Sequence, residues 1–362
     1  MKEKHLYIFA GVFVFLLISF FIMNFAMKQK HKGVNVEELV KNIVFGVSKE
    51  DIKNIEVYKQ TGSEPVRMMF SQKEDKWYIP TKFNAKAQKN RIDRLLNDVL
   101  EMTGKVRSSD PKHFKTYKIA DEQGIHLLLK DEANKPLYNL IIGKKGEDYN
   151  TGFVRFGGKD KVYAVDKNLL SSLNVYGEID TLTQFKDDNF VDLQAVEQDK
   201  EELGLIALLH EGKRMIVKKV TKEVEVTNDD STITTKQEQE WVLVTGSKEI
   251  ELDKKEVDNF IRDVTKIRGE KVVDRIANPL DEMSKNSRYG FSQRSSAVVF
   301  QQQESKQQQN VIIGNAYEKD EENKAKGYYM NVQYDGLIYH LSKSTYDKIF
   351  EWMDDLPEKV KK

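Results

Sequence analysis

Two stretches, NLIIG at residues 139–143 and NVIIG at residues 310–314, are the starting point for predicting the fold of this chain. They are nearly identical, and they lie far apart in a sequence of 362 residues. A short apolar run that ends in glycine is common at the end of a strand, so one such match indicates little by itself. The match becomes informative only if the neighbouring landmarks return in the same order.

The same landmarks do return around both stretches. Trp77 and Trp241 each follow two strand-like segments and precede a segment with helical periodicity. The two helical segments carry apolar stripes of equal spacing on one face. Each stripe is followed by a glycine, Gly104 or Gly269, which we interpret as a helix C-terminal stop. The stripes are Ile92, Leu95, Leu96, Val99 and Met102 in the first segment, and Val257, Phe260, Ile261, Val264 and Ile267 in the second.

The parallel continues to the glycines that end the opening stretches, Gly143 and Gly314, and to a strand followed by a helix start in each half. Asp253, Asp166 and Ser342 stand where helix N-caps are expected. We therefore predict an α+β fold with an N-terminal transmembrane helix and two tandem repeats. Each repeat is a mainly antiparallel sheet packed with an amphipathic helix. The six landmarks are structural: Trp77, Gly104, Gly143, Trp241, Gly269 and Gly314.

The domain boundaries follow from these landmarks. The second repeat carries extra alternating β-branched residues before its tryptophan, which predict an inserted hairpin over 220–240. The polar run QQQESKQQQ at 301–309 is interpreted as a solvated hairpin tip, in preference to an aggregation element. The predicted parts are a tail and membrane anchor (1–33), a juxtamembrane segment (34–50), the first repeat (51–176), a connector (177–200), the second repeat (201–356) and a charged tail (357–362).

The N-terminus carries the clearest physical signal. Leu6 to Met27 contains no charged residue, and its 22 residues would reach roughly 33 Å as a helix, enough to cross a bilayer. A buried core helix and a cleaved signal peptide are the alternatives, but the run is long for a signal and ends in no small-residue cleavage site. We expect a single-pass anchor in a bacterial inner membrane with the body outside the cytoplasm. The flanking lysines nearly balance, so charge sets the orientation weakly.

Composition excludes several classes of function. Lys+Arg and Asp+Glu both number 58, so there is no basic surplus, and we expect no nucleic-acid partner. The chain has no cysteine, which excludes disulfides, thiolate metal sites and cysteine nucleophiles. No phosphate-loop or nucleophile-elbow motif occurs. The six histidines form no metal-binding motif, and His126 and His340 fall within predicted strands. We predict no catalytic, cofactor-binding or metal residues.

These landmarks resemble an uncharacterised bacterial family, domain of unknown function 4340. The resemblance rests on the order of a strand pair, WYIP at 77–80, an amphipathic helix, TYKI at 116–119, strands ending in IIG, and VYAV at 162–165. It is closest over 55–190 and recurs more faintly over 200–353. It implies a membrane-anchored extracytoplasmic protein whose relatives are often encoded beside ABC transporter components. It implies no catalytic residues.

We expect a non-catalytic scaffold or accessory subunit of an ABC-type envelope transport complex, bound to the bilayer through Leu6 to Met27 and to protein partners. An extracytoplasmic receptor for a glycan or peptide, using a cleft between the repeats, is the alternative. An unrecognised hydrolase is a third hypothesis. Trp77 and Trp241 could stack on a sugar, but their recurrence before each helix favours a role in anchoring the helix on the sheet.

Overall fold

The computed structural model describes residues 42–61, 64–177, 179, 186–227, 233–276, 288–333 and 335–358. The predicted membrane helix over Leu6–Met27 lies outside these residues, as do the turn of the predicted hairpin and the end of the charged tail. Within the described ranges, no helix is long and apolar enough to span a bilayer.

The predicted fold class needs correction. Within the described residues, strands take 48% and helices 20%, so the fold is mainly antiparallel sheet. The prediction of an α+β class with a leading transmembrane helix overestimated the helical content. Alternating β-branched and aromatic residues dominate both halves, and this pattern builds long ladders in which a few short helices cover one face.

The first half forms a sheet that has nine strands in its described part, in the order β4-β3-β2-β1-β6-β7-β8-β9-β5. Its strands are β1 (Asn54–Thr61), β2 (Glu64–Lys73), β3 (Lys76–Ile79), β4 (Ala85–Lys86), β5 (Gly104–Ser108), β6 (Ile125–Lys130), β7 (Pro136–Lys145), β8 (Gly152–Phe156) and β9 (Val162–Val165). Helix α1 (Lys89–Leu100) comes between β4 and β5. The short helices α2 (Phe114–Tyr117) and α3 (Leu169–Ser172) follow later.

A separate sheet is formed in the second half, where nine described strands lie in the order β14-β13-β12-β11-β17-β18-β19-β20-β16. Its strands are β11 (Leu203–His210), β12 (Lys213–Thr227), β13 (Ile233–Thr245), β14 (Lys248–Glu251), β16 (Lys271–Arg275), β17 (Ser296–Gln302), β18 (Gln308–Lys319), β19 (Ala325–Val332) and β20 (Leu337–Ser342). Helix α4 (Lys254–Thr265) comes after β14, and α5 (Lys343–Glu358) ends the described chain. Strands β10 (Gln194–Glu197) and β15 (Lys266–Arg268) pair with each other.

The two sheets have the same strand order when counted from the first strand of each half. In both, four strands are followed by an amphipathic helix, and the next strand of the same sheet, β5 or β16, lies at the far edge, beside the last strand. A meander alone would not place that strand there, so the crossover is a shared topological feature. The origin of the halves by duplication stays a prediction.

The predicted helical stripes form the contact between helix and core. All ten stripe residues are buried, and eight of them have no exposed surface. Burial of a side chain of this size contributes about 1.5–3 kcal/mol, so each stripe is a large part of its half's core energy. Asp253 and Ser342 are N-caps as predicted: Asp253 accepts hydrogen bonds from the N–H groups of Lys255 and Glu256, and Ser342 accepts one from Thr345. Asp166 was predicted wrongly, because Asn168 caps α3.

The chain divides into two compact units. Among the described residues, the first comprises 42–52, 57–61, 64–66, 94–177 and 179, and the second comprises 53–56, 67–93, 186–227, 233–276, 288–333 and 335–358. The second unit thus includes strand β3 and the turn that follows it. The domain boundaries predicted from the sequence stay predictions.

Candidate functional site

A cleft of about 970 Å³ opens in the second unit, where the end of β10, the second half of α4 and the β17–β18 hairpin meet. Its lining is mostly polar: Glu197, Gln198, Asp199, Lys200, Glu202, Asp258, Ile261, Arg262, Thr265, Lys266, Gln302 and Gln309. A cleft of this size falls within the range of small-molecule sites, although most such sites have a more apolar lining.

Three glutamine side chains form a hydrogen-bonded chain within the cleft. The amide Nε2 of Gln302 donates to Oε1 of Gln198 at 3.4 Å, and Nε2 of Gln198 donates to Oε1 of Gln309 at 2.5 Å. This chain leaves an acceptor, Oε1 of Gln302, at one end and a donor, Nε2 of Gln309, at the other. Within the described residues, neither of these two atoms has a hydrogen-bond partner. One wall of the cleft therefore offers a ligand both a hydrogen-bond acceptor and a hydrogen-bond donor.

Backbone contacts hold these glutamines in place. The N–H of Gln198 donates to the carbonyl oxygen of Thr265, the last residue of α4, at 3.0 Å. Gln302 and Gln309 stand on the paired strands β17 and β18, and the N–H of Gln302 donates to the carbonyl of Gln307. The polar run at 301–309 is indeed a hairpin tip with exposed residues at its turn, but Gln302 and Gln309 are half-buried and line the cleft. Sequence reasoning missed this role.

Charges of both signs surround the cleft. Its carboxylates belong to Glu197, Asp199, Glu202 and Asp258, and its basic groups to Lys200, Arg262 and Lys266. Lys200 approaches Asp258 at 3.8 Å, and Arg262 donates to Asn259 at 2.9 Å. The near balance of charge means that the cleft exerts no strong net attraction on an anion or a cation.

The first unit has a corner that corresponds to this cleft, where Tyr138 contacts the backbone of Phe45. Tyr138 stands five residues before Gly143, as Gln309 stands five before Gly314, and strand pairing puts both at the same level of their sheets. The hydroxyl of Tyr138 donates to the carbonyl of Phe45 at 2.5 Å and accepts from the N–H of Phe45 at 2.8 Å. The partner of Tyr138 thus occupies the place that Gln198 has in the second half.

Further contacts fix the chain before β1 at this corner. The N–H of Ile43 donates to the carbonyl of Met102, and the side-chain amide of Asn42 donates to the carbonyl of Leu100. In the second half, Val196 pairs with Ile267, the residue that matches Met102 in the helical stripes. In both halves, therefore, a chain segment that precedes the first strand of the sheet meets the residues just after the amphipathic helix. The halves differ in the groups that meet there: the Tyr138 hydroxyl meets backbone groups of Phe45 in the first half, whereas the side-chain amides of Gln198 and Gln309 meet in the second.

A long two-stranded ribbon projects from the second sheet where the inserted hairpin is predicted. Strands β12 and β13 pair from Ile216↔Val244 out to Thr227↔Ile233, whereas β11 covers β12 only as far as Lys218 and β14 covers β13 only from Val242. Beyond those points both outer edges have no neighbouring strand within the described residues. The side chains over 233–239 are all exposed, so neither face of the ribbon packs on a core.

Lys219 links the root of this ribbon to the rim of the cleft. Its side chain is only 4% exposed, and its Nζ donates to the carbonyl oxygens of Lys200 and Glu201 at 2.9 and 3.0 Å. The same ammonium lies 5.5 Å from the ring centre of Trp241, its cross-strand partner. Carbonyl oxygens and an aromatic face both stabilise a buried cation.

The landmark residues Trp77 and Trp241 lie in β3 and β13, the third strand of each sheet in chain order. Trp77 is buried with 3% of its surface exposed, which fits a role in the core. Trp241 is half-buried, and Lys219 covers its ring. Trp352 packs edge-on against Phe260 of α4. In the described structure neither landmark tryptophan lines the cleft.

The glycine landmarks allow close approach between chain segments. A Cβ at Gly143 would lie 2.3 Å from the carbonyl oxygen of Tyr117. Gly104 opens β5 instead of capping α1, and a Cβ there would lie 2.9 Å from Val165 in the neighbouring strand. Gly269 lies between β15 and β16, and its Cβ would lie 2.7 Å from Tyr339. Neither Gly104 nor Gly269 has the positive φ of a helix C-cap glycine.

The histidines of strands pack against aromatic rings. His126 in β6 stacks on Tyr58 with ring centres 4.5 Å apart, and His340 in β20 stacks on Tyr317 at 3.9 Å. Over the described ranges, no cluster of three or more His, Asp or Glu residues is placed to hold a metal ion.

The fold and the cleft define a class: a mainly antiparallel protein with two nine-stranded sheets of the same order in its described part, and an open polar cleft in its second unit. A family profile described as "Domain of unknown function (DUF4340)" matches residues 77–282, more than half of the chain. The chain belongs to this family. The match begins at Trp77 and runs as one segment through the connector into β16 and beyond. No curated protein and no solved structure matches the chain.

Proposed function

We propose that this protein is a non-catalytic scaffold or accessory subunit of an ABC-type envelope transport complex. The observation that carries the proposal is the ribbon formed by the outer parts of β12 and β13, whose two edges have no neighbouring strand among the described residues and whose side chains over 233–239 are exposed. Open strand edges present rows of backbone donors and acceptors that a partner strand can pair with.

Few contacts within the described residues stabilise the ribbon. A two-stranded hairpin without a covering layer is marginally stable in water. Cross-strand pairs such as Lys222 with Glu240 and Glu251 are solvent-exposed and contribute little individually. A partner that covers an edge or a face would supply the missing burial, which favours a role in assembly.

Membrane attachment is part of the same proposal and rests on the sequence. The uncharged run Leu6–Met27 supports attachment to a bacterial inner membrane, with the body outside the cytoplasm. The link to ABC transporter components rests on what the family resemblance implies. Protease protection on spheroplasts tests the placement: a body outside the cytoplasm is digested without lysis, whereas an inside body is protected.

Capture of partners from the native membrane tests the scaffold role. The full chain is tagged at its native level, extracted in mild detergent and analysed for co-purifying proteins. The matched variant replaces 221–239 with Asn-Gly, which joins the cross-strand partners Val220 and Glu240 through a two-residue turn. The control variant carries Glu321→Ala and Glu322→Ala in another exposed turn.

We expect transporter components with the full chain and with the control, and their loss with the shortened ribbon. Recovery of the full chain alone would contradict the proposal. Equal capture by the shortened variant would show that the ribbon is not the surface that binds the transporter components.

A receptor for a small polar ligand is the second candidate, and the cleft of the second unit favours it. This cleft is formed within one unit, by β10, α4 and the β17–β18 hairpin. Binding and scaffolding are compatible in one chain, because the cleft and the ribbon present different surfaces.

A further inference from the structure

The two halves use the same corner of the fold in different ways. In the first, Tyr138 holds both backbone polar groups of Phe45, and Tyr138 also packs against Phe156 with ring centres 5.9 Å apart. In the second, Gln309 and Gln198 replace Tyr138 and Phe45, and a cleft of about 970 Å³ opens beside them. Aromatic packing would stabilise the second corner as well as the first, so glutamines there need a different explanation.

The glutamine chain suits a ligand with hydroxyl groups. A hydroxyl both donates and accepts, and the chain offers an acceptor at Gln302 and a donor at Gln309. The surrounding carboxylates accept from hydroxyls, and the guanidinium of Arg262 donates to them. Carboxylates, amides and guanidinium groups each present two polar atoms side by side, which matches two neighbouring hydroxyls of a sugar ring.

Charge and apolarity argue against other ligands. Four carboxylates face three basic groups, so neither a polyanion nor a polycation meets a complementary field. Ile261 is the only purely hydrocarbon side chain in the described lining, which leaves little surface for a lipid tail or the apolar side chains of a peptide.

We propose that the cleft of the second unit binds a neutral oligosaccharide through Gln198, Gln302, Gln309 and the rim carboxylates. The inference deepens the second of the two proposed functions and is independent of the ribbon. The affinity is weak, with a dissociation constant on the order of 1 mM, because an open polar site exchanges hydrogen bonds to water for hydrogen bonds to ligand at little net gain.

Saturation-transfer NMR on the full chain in mild detergent tests the proposal. The probes are maltotriose, cellotriose and triacetylchitotriose, with N-acetyl-trialanine amide as a neutral peptide, each at concentrations around the expected dissociation constant. Gln309→Tyr puts the first-half residue into the cleft. Asp258→Asn removes one exposed rim charge without touching the core. Gln307→Ala, at the exposed turn of the same hairpin, is the matched control.

We expect transfer to at least one trisaccharide, at least tenfold weaker binding by Gln309→Tyr, at least threefold weaker binding by Asp258→Asn, and no change with Gln307→Ala. If Gln309→Tyr does not fold, the binding measured with Asp258→Asn tests the proposal by itself. Transfer to none of the three sugars, equal binding by the folded cleft variants, or a preference for the peptide would overturn the proposal. Partner capture with the same variants separates the two functions, since a failed sugar site leaves capture by the ribbon unchanged.

Discussion

The carbonyl oxygen of Tyr289 lies 2.0 Å from the position that a Cβ would take at Gly314. The same oxygen accepts a hydrogen bond from the N–H of Asn315 at 2.7 Å, so the segment before β17 is tied to β18 at this point. In the first half, Tyr117 approaches Gly143 in the same way, at 2.3 Å. This contact explains why both NLIIG (139–143) and NVIIG (310–314) end in glycine. The segment that contains the tyrosine lies against the strand at this glycine, and any side chain there would displace the segment.

Substitution of Gly314 by Ala is therefore expected to destabilise the protein. The added methyl cannot stay 2.0 Å from an oxygen, so the tyrosine segment or the strand must move. Overpacking of this kind costs about 1–3 kcal/mol of stability. We expect Gly314→Ala to lie at the upper end of this range, because the contacting atom is a backbone oxygen and not the end of a flexible side chain. The free energy of unfolding in denaturant measures the effect, with Gly143→Ala as the equivalent change in the first half.

Gly158→Ala is the control for these substitutions. Gly158 has a φ of +70° and no atom within 4 Å of its Cβ position, so alanine there meets backbone strain alone. That strain costs about 1 kcal/mol. A loss at Gly314 no larger than the loss at Gly158 would show that the close approach carries no energetic weight.

Stability is expected to fall in mild acid because of His340. Burial lowers the pKa of this imidazole, with the nearby charge of Lys271 acting in the same direction and Glu270 opposing it. The neutral ring, stacked on Tyr317, is therefore favoured in the folded state. Its contribution is present above the unfolded pKa near 6.5 and is lost as the pH falls through the lower folded value. His340→Gln should flatten the decline of stability as the pH falls below about 6.5.

Denaturant midpoints of the two proteins across that range, together with NMR titration of the ring, check this effect. His113→Gln is the control, since His113 lies exposed outside the sheet. Identical pH profiles for the wild type and His340→Gln would contradict the assignment.

Arg275 is expected to stabilise the turn after β3 within the second unit. Its Nε and Nη2 donate to the carbonyls of Phe83 and Asn84 at 2.7 and 3.1 Å, and its Nη1 donates to Asp335 at 2.8 Å. Both turn residues have left-handed backbones, with φ of 53° and 54°, a conformation that needs such support. Arg275→Ala should cost about 1–2 kcal/mol, and Arg275→Lys should recover less than half, because an ammonium cannot span three carbonyls.

Amide hydrogen exchange localises this effect. In Arg275→Ala we expect faster amide exchange in the segment 81–85. The control Arg294→Ala, at an exposed position, should leave exchange in that segment unchanged. Unchanged exchange after Arg275→Ala would show that the turn holds its shape unaided.

Lys219→Met is expected to loosen both the ribbon root and the cleft rim. Methionine preserves much of the buried volume but leaves the carbonyls of Lys200 and Glu201 without their donor, at a cost of about 1–3 kcal/mol. The neighbouring Lys218→Met is the matched control, because Lys218 is exposed and makes one surface pair with Glu249; it should change stability by less than about 0.5 kcal/mol. Equal effects of the two substitutions would show that burial of Lys219 has no consequence.

Periodicity revealed the parts of the fold that local patterns encode. The two helical stripes, the N-caps at Asp253 and Ser342, and the strands that hold His126 and His340 were predictable because each depends on residues close in sequence. Helix ends were harder. Gly104 and Gly269 look like C-caps, but they are glycine because a neighbouring strand lies within 3 Å of the Cβ position. The balance between sheet and helix was misjudged for the same reason, since pairing between distant strands leaves no local signal.

The candidate site was beyond sequence reasoning. Gln198 and Gln309 are 111 residues apart, and only the pairing of β10 with β15 and of β17 with β18 brings them together. A polar run such as 301–309 is typical of a solvated tip, and most of it is one. The alignment of Tyr138 with Gln309 through the two glycines was the available signal, because it sets an aromatic residue against an amide at one position of both halves.

Photocrosslinking from the ribbon in living cells tests the proposed scaffold role most directly. A photoreactive amino acid replaces Ile233, whose side chain is 65% exposed on the ribbon, or Tyr149, which is 69% exposed in the first half. We expect covalent adducts with a transporter component from residue 233 and none from residue 149. Adducts from both positions alike, or from neither in cells that contain the transporter, would contradict a partner-binding ribbon.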